Sequence, residues 1–301
     1  MSGAVPQSAI AVEPKLLTFA RDIKISHTIF AMPFALLSTF LAAGGSPRLG
    51  QLILIVLCMV AARTVAMSAN RLLDAELDAR NPRTARRALP SRKLSRSFVS
   101  AILAACGLAF IFSTALFGIV YRNWLPLIPA IPVLLFLVTY PLLKRFTQLC
   151  HYYLGAALAL APICAWIAIR GNVELPPLLL AGAVLCWTAG FDIIYACQDY
   201  DSDRQTGVVS VPAKLGIARA LWVSRATHVL SLAMLIALGI ISPQLGMLYF
   251  IGVGCAAVLL VVEHSLVSAN DLSKVGIAFF TVNGIISLIL GTLGIFDVLL
   301  R

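Results

Sequence analysis

Asn70, Asp74 and Asp78, then Asp192, Asp199 and Asp203, form two polar groups about 120 residues apart in the 301-residue chain, each at the end of an apolar stretch. On an α-helix, positions four residues apart drift by roughly 40° per step, so Asn70, Asp74 and Asp78 share one face over about 12 Å. Asp192, Tyr195, Asp199 and Asp203 fall within a similar arc. Carboxylates crowded onto one face repel one another unless a cation neutralises them, and hard oxygen donors suit Mg²⁺ better than zinc or copper. Mg²⁺ is in turn commonly shared between a few carboxylates and phosphate oxygens. Two such faces opposed across a gap would form a metal and diphosphate site. A charged, solvated helix end explains either group alone. The repetition of Asp at i and i+4, each time followed by Arg or Lys, argues for the site.

Cations accompany both groups. Tyr140-Pro-Leu-Leu-Lys144-Arg145 lies between them, and Arg83, Arg86 and Arg87 follow the first. Arginine offers a planar fork to phosphate oxygens and lysine a compact point charge. Lys144 and one or two of the three arginines are therefore assigned to phosphate, while Arg92, Lys93 and Arg96 are read as membrane-anchoring charges. Arg63 lies seven residues before Asn70, on the same helical face and about two turns deeper. A cation at that depth costs about 3 kcal/mol or more unless it lines a polar cavity or is paired. Arg63 has two readings: an ion pair with Asp192, or a receiver for the anionic group of a second substrate or for the diphosphate itself.

The elements that must position these residues are transmembrane helices. The chain is 60% hydrophobic and 12% charged, with a mean hydropathy of +0.94, whereas soluble domains carry about 25% charged residues. Apolar runs long enough to cross a core of about 30 Å occur near 26–43, 51–69, 97–119, 124–140, 149–169, 176–197, 219–241, 244–263 and 276–299. The expected fold is an all-α, polytopic membrane protein with nine transmembrane helices around a central cavity. Because the groups close the second and sixth helices, they emerge on the same side, as in two parallel four-helix units completed by a ninth helix. Pro33, Pro126, Pro129, Pro132 and Pro162 are expected to kink helices and open the cavity. The chain is read as one domain spanning 1–301, with loops at 70–96 and 198–218 carrying the site. Residues 1–13 read as a short tail, and 14–25 as an amphipathic interfacial helix with Leu16, Leu17, Phe19 and Ile23 set against Lys15, Arg21 and Lys24.

Basic residues concentrate on the side that bears both groups, which the positive-inside rule makes cytoplasmic, together with the N-terminus. Topology and an anionic substrate account for the net charge of +10, so no nucleic-acid partner is required. The seven cysteines form no CxxC pair and the four histidines no zinc spacing; the cysteines read as packing residues and the histidines as structural or interfacial.

Asn70-Arg-Leu-Leu-Asp74-Ala-Glu-Leu-Asp78, with Arg83-Thr84-Ala-Arg86-Arg87 downstream, resembles the NxxxDxxxD motif of the UbiA family of intramembrane aromatic prenyltransferases. Asp192-Ile-Ile-Tyr195-Ala-Cys-Gln-Asp199-Tyr-Asp-Ser-Asp203, followed by Gly207, Ser210 and Pro212, resembles its DxxYAxxDxxxD motif, and Tyr140 to Lys144 its YxxxK element. Asn70-Arg-Leu, Asn81-Pro-Arg-Thr-Ala, Phe191-Asp-Ile-Ile-Tyr-Ala and Phe279-Phe-Thr-Val-Asn are most similar to the branch of 4-hydroxybenzoate polyprenyltransferases and related enzymes of the futalosine route to menaquinone. Arg71 departs from the usual second acid, and Ala88 from a common proline.

The resemblance implies Mg²⁺ held by Asp74, Asp78, Asp199 and Asp203 with Asn70 assisting. It implies a polyprenyl diphosphate donor gripped by Lys144, Tyr140 and the loop arginines. Asp192 and Tyr195 would then serve an aromatic acid, either 4-hydroxybenzoate in a ubiquinone-type route or a naphthalene-type acceptor. Its setting would be a bacterial inner membrane. A secondary transporter would share buried charges and parallel repeats, but the doubled acid-rich signature at the membrane surface favours an enzyme.

Overall fold

The computed structural model describes residues 14–23 and 30–301. The expected tail at 1–13, Lys24 and the start of the segment expected at 26–43 lie outside the described residues. α1 (Lys15–Asp22) is a surface helix. Phe19 and Ile23 pack against Ala75, Ala88, Leu89, Leu94 and Val99, while Leu16 and Leu17 remain exposed.

Each of the nine apolar segments contains a helix. α2 (Met32–Ala43), α3 (Leu49–Arg80), α4 (Arg96–Tyr121), α5 (Ala130–Thr139), α6 (Cys150–Arg170) and α7 (Leu175–Ala196) precede two short helices, α8 (Tyr200–Thr206) and α9 (Val211–Leu215). α10 (Ile217–Ile241), α11 (Met247–Ser265) and α12 (Asn283–Leu300) complete the chain. Among the described residues, seven helical stretches are long and apolar enough to cross a membrane, α7 with α8 and α12 with its preceding turn counting as one each. α2 and α5 have only 12 and 10 residues, short of the ~20 that span a bilayer core.

The region expected as a loop from 70 is helical through Arg80, because α3 continues past the apolar run with its acids on one face. It stops at Asn81, extended at φ −97° and ψ 119°, where the following Pro82 disfavours helical backbone. α7 likewise passes through one 3₁₀ turn, Cys197–Asp199, directly into α8. The prolines act differently from expectation. Pro33 sits in the first turn of α2, Pro129 caps α5 and Pro132 lies in its first turn, positions where the missing N–H costs no hydrogen bond. Among the five, Pro162 alone is inside a helix, and its carbonyl accepts a 2.6 Å hydrogen bond from Ser38 Oγ.

α6 packs on α2 and α7, α7 on α10, α10 on α11, α11 on α12, and α12 returns to α2; α3 packs on α4 and α5 and touches α6. The closest approach that positions the site is between α6 and α7. A Cβ on Gly155 would overlap the Leu185 carbonyl oxygen, so this seam needs glycine, as small residues allow elsewhere in membrane bundles. A π-helical turn, Ile277–Val282, precedes α12 and turns Phe279 and Phe280 against Tyr195. Asn283 supports that turn, donating to the Ala278 carbonyl at 3.0 Å and to Glu263 Oε1 at 2.8 Å while accepting from Trp187 Nε1 at 2.7 Å.

Gly155→Ala should therefore lower the thermal unfolding midpoint of the detergent-solubilised protein, since backbone rather than a flexible side chain must give way, at a cost of about 1–3 kcal/mol. An unchanged midpoint would show that α6 and α7 can separate freely.

Candidate active site

The ends of α3 and α7 meet beside the start of α6, around a polar cavity. Asn70, Asp74, Asp78, Arg83, Arg87, Tyr140, Lys144, Asp192, Tyr195, Asp199 and Asp203 all line it. Arg86 is exposed and outside the lining, and Arg63 instead lines a neighbouring apolar cavity walled by α3, α4, α5 and α6. The two cavities adjoin at Tyr140 and Leu154, which line both.

On α3, Asp74 is fully buried. Its Oδ2 accepts from Lys144 Nζ at 2.6 Å and from Asn70 Nδ2 at 2.8 Å. Its Oδ1 is buried and accepts no hydrogen bond among the described residues. Asp78 receives Arg87 Nη1 on both oxygens at 2.8 Å, and its backbone carbonyl accepts from Thr84 Oγ1 at 3.0 Å, folding the 81–95 segment back over the helix end.

The Tyr140–Arg145 turn that carries Lys144 is stapled to both halves. Arg145 Nη2 donates to the Leu73 carbonyl at 2.6 Å on α3. The Lys144 carbonyl accepts from Val209 N at 2.6 Å, beyond α8.

Arg83 closes the gap from the other direction. Its Nε and Nη2 donate to Asp199 Oδ1 and Oδ2 at 3.0 and 2.7 Å, and its Nη1 to the Tyr195 hydroxyl at 2.9 Å. Its guanidinium also lies over the Tyr195 ring, 5.1 Å from the centroid. Burial works against the Arg83 charge, but the hydrogen bonds and charge of Asp199 hold its pKa above the ordinary arginine value. Asn81 joins in, donating to Asp199 Oδ1 at 3.0 Å and accepting from the Arg83 amide at 2.9 Å. Asp203 Oδ2 accepts from Ser210 Oγ at 2.8 Å, and the same hydroxyl caps α9 by accepting from Ala213 N at 3.3 Å.

Asp192 pairs with His151 and not with Arg63. His151 Nδ1 is 2.7 Å from Asp192 Oδ2. Its Nε2 accepts from the Val211 amide at 3.2 Å, which leaves Nδ1 as the nitrogen that carries the proton and donates to Asp192. The expectation that the histidines are structural or interfacial does not include His151's place in the cavity lining. Nothing in its spacing from the acids betrays it, because it approaches from α6. Asn81 was overlooked as well, although its place before Pro82 at the helix end could have marked it.

Among the described residues, no three carboxylate, histidine or cysteine side chains gather into a tight ligand cluster. Each acid has its own cation or donor instead: Asp74 has Lys144, Asp78 Arg87, Asp192 His151, Asp199 Arg83 and Asp203 Ser210. The set nonetheless fits a hard divalent ion. Its donors are carboxylate oxygens, and the buried Asp74 Oδ1 faces no competing donor.

Residues 31–285 match the UbiA prenyltransferase family. The chain is 33% identical over 242 residues to a 4-hydroxybenzoate solanesyltransferase from Synechocystis sp., covering 78% of each chain. It is similar to the apo structure of a UbiA homolog from Aeropyrum pernix K1, with 32% identity, a TM-score of 0.80, and 91% of this chain and 98% of that one covered. A UbiA homolog from Archaeoglobus fulgidus bound to GPP and Mg²⁺ shares the fold, with a TM-score of 0.68 at 19% identity over 94% of this chain and the whole of that one.

Arg83→Ala removes both charge-assisted bonds to Asp199. Amide hydrogen exchange across 81–95, followed by mass spectrometry, should accelerate about tenfold, the effect of losing roughly 1.4 kcal/mol. Unchanged exchange would mean that Asn81 and Arg87 hold the segment without it.

Proposed function

Because the chain belongs to the UbiA prenyltransferase family, we propose that it transfers a polyprenyl group from an allylic diphosphate to an aromatic acid, 4-hydroxybenzoate, in quinone biosynthesis. The observation that carries this reading is the polar cavity lined by Asp74, Asp78, Asp199 and Asp203 with Lys144, Arg83 and Arg87, adjoining an apolar cavity at Tyr140 and Leu154. The family and the similarity to the solanesyltransferase support it. A transporter has no evident use for that pairing of oxygen-rich rim and apolar chamber.

Asp74, Asp78, Asp199 and Asp203 would hold Mg²⁺, with Asn70 fixing the Asp74 carboxylate through its amide nitrogen. When bound, the ion supplies charge neutralisation for the departing diphosphate. Lys144, Arg83 and Arg87 would receive the phosphate oxygens, with Tyr140 lining both cavities beside them. Arg86 serves the site only if the 81–95 segment rearranges. These groups stabilise charge as it develops on the leaving group, so the allylic C–O bond breaks with the electron pair on diphosphate. An electron-rich ring carbon ortho to the phenolic hydroxyl then forms the new C–C bond. The ring proton passes to Asp192, whose carboxylate is oriented by the His151 Nδ1–H. Tyr195, packed against Phe279 at a centroid distance of 4.1 Å and bonded through its hydroxyl to Arg83, helps position the substrates.

The apolar cavity houses the prenyl tail and keeps bulk water from the cation. Arg63 on its wall is placed for the acceptor carboxylate. The whole chain works as one unit in this reading, in a bacterial inner membrane with the site facing the cytoplasm. A naphthalene-type acceptor for menaquinone would use the same steps.

Purified protein with Mg²⁺, an allylic diphosphate and either 4-hydroxybenzoate or dihydroxynaphthoate should yield prenylated hydroxybenzoate by mass. Product from the naphthoate alone would move the enzyme to the menaquinone route. Asp74→Ala and Asp199→Ala should each abolish turnover at any Mg²⁺ concentration, and near-normal activity in both would refute the metal assignment. Arg63→Ala should raise the acceptor KM about tenfold or more, the scale of a lost hydrogen bond to a charged group, with little change for the donor. Equal effects on both substrates would move Arg63 to the diphosphate.

A further inference from the structure

Asp22, the last residue of α1, is not part of either motif, yet two hydrogen bonds tie it to Arg71 of the first and a third to Ala88 downstream. Its Oδ2 accepts from Arg71 Nε and its backbone carbonyl from Arg71 Nη2, both at 2.8 Å, and its Oδ1 accepts from the Ala88 amide at 2.8 Å. Arg71 is 5% exposed. Its Nη1 donates to Asn70 Oδ1 at 2.7 Å, and Asn70 turns its Nδ2 to Asp74 Oδ2. The line Asp22, Arg71, Asn70, Asp74 thus runs unbroken from the surface helix to the buried carboxylate.

The chemistry of the line is directional. An asparagine amide can present oxygen or nitrogen to a neighbour after half a turn, and a carboxylate would prefer the nitrogen. A guanidinium has donors only, so Arg71 holds the amide oxygen on its own side and leaves the nitrogen for Asp74. A buried guanidinium in turn requires a carboxylate partner, because an unpaired charge there is strongly destabilising. Asp22 is that partner, and it also holds Ala88 in the segment that carries Arg83 and Arg87.

We propose that Asp22 and Arg71 are a positioning pair through which α1 sets the Asn70 amide, and so the Asp74 oxygens, for binding of Mg²⁺ with diphosphate. The inference rests on the proposed diphosphate site. It also accounts for Arg71, the departure from the usual motif, because the site is completed from the N-terminal helix. With Leu16 and Leu17 exposed on its outer face, α1 lies as an interfacial helix would, its apolar outer residues available to the membrane surface.

The test uses the full chain in detergent micelles with geranyl diphosphate as probe, reading the Mg²⁺ concentration that gives half-maximal thermal stabilisation. Asp22→Asn and Arg71→Gln should each raise that concentration about tenfold, the scale of a lost outer-shell partner. The double variant should be no worse than either single, since the two act as a unit. Arg71→Lys keeps a charge for Asp22 but loses the fork that also reaches Asn70, so it should fold normally and still show the rise. Variants with a lowered unliganded midpoint but an unshifted Mg²⁺ requirement would reduce the pair to a structural tie and overturn the proposal. Strictly additive effects would overturn it too. Failure of the unsubstituted protein to bind geranyl diphosphate with Mg²⁺ would defeat the underlying site reading, and this inference with it.

Discussion

Negative charge at the edge of an apolar bundle has to be met from across a gap. A buried carboxylate is tolerated where donors and cations face it, and removing them leaves an uncompensated charge that costs several times a surface ion pair. Asp74 is met by Lys144 from the turn after α5, and Asp199 by Arg83 from the segment after α3. In both cases the partner belongs to a different element from the acid, so charge compensation and assembly of the site are the same event. The Arg83–Asp199 pair thereby ties the segment after α3 to the end of α7.

The bundle is arranged to keep those ends in register. Gly155 lets α6 approach α7, which brings His151 to Asp192. The turn with Lys144 is bonded to α3 through Arg145 and to the far side of α8 through Val209. The π-helical turn before α12 supplies the aromatic backing of Tyr195. Beneath this polar rim the apolar cavity gives a long hydrocarbon chain a place that costs no exposed surface. A headgroup site and a tail site share one wall at Tyr140.

Much of this was legible in the sequence, because periodicity and charge act locally. Four-residue spacing put Asn70, Asp74 and Asp78 on one face, and the apolar runs located all nine helical segments. What sequence pattern left out came from contacts between distant elements. His151 joins Asp192 by the α6–α7 approach, and of the two readings of Arg63 the ion pair with Asp192 is not formed, Arg63 lining the apolar cavity. α3 runs through Arg80, past the loop boundary expected at 70, because Asn70, Asp74 and Asp78 share one helical face and the helix ends only before Pro82. Three of the five prolines expected to kink helices, Pro33, Pro129 and Pro132, sit at helix starts, where their fixed φ is an advantage. The π turn leaves no signature in residue type at all.

The central claim is that the opposed carboxylates, held by cations in the free protein, are the seat of a divalent ion and a diphosphate. A structure of the protein with Mg²⁺ and a non-reactive allylic diphosphate analogue tests this most directly. The account predicts metal density bounded by oxygens of Asp74, Asp78, Asp199 and Asp203, with Lys144, Arg83 or Arg87 on the phosphate oxygens. Metal and diphosphate found elsewhere, with Asp78 and Asp199 still paired to Arg87 and Arg83 and Asp74 to Lys144, would contradict it.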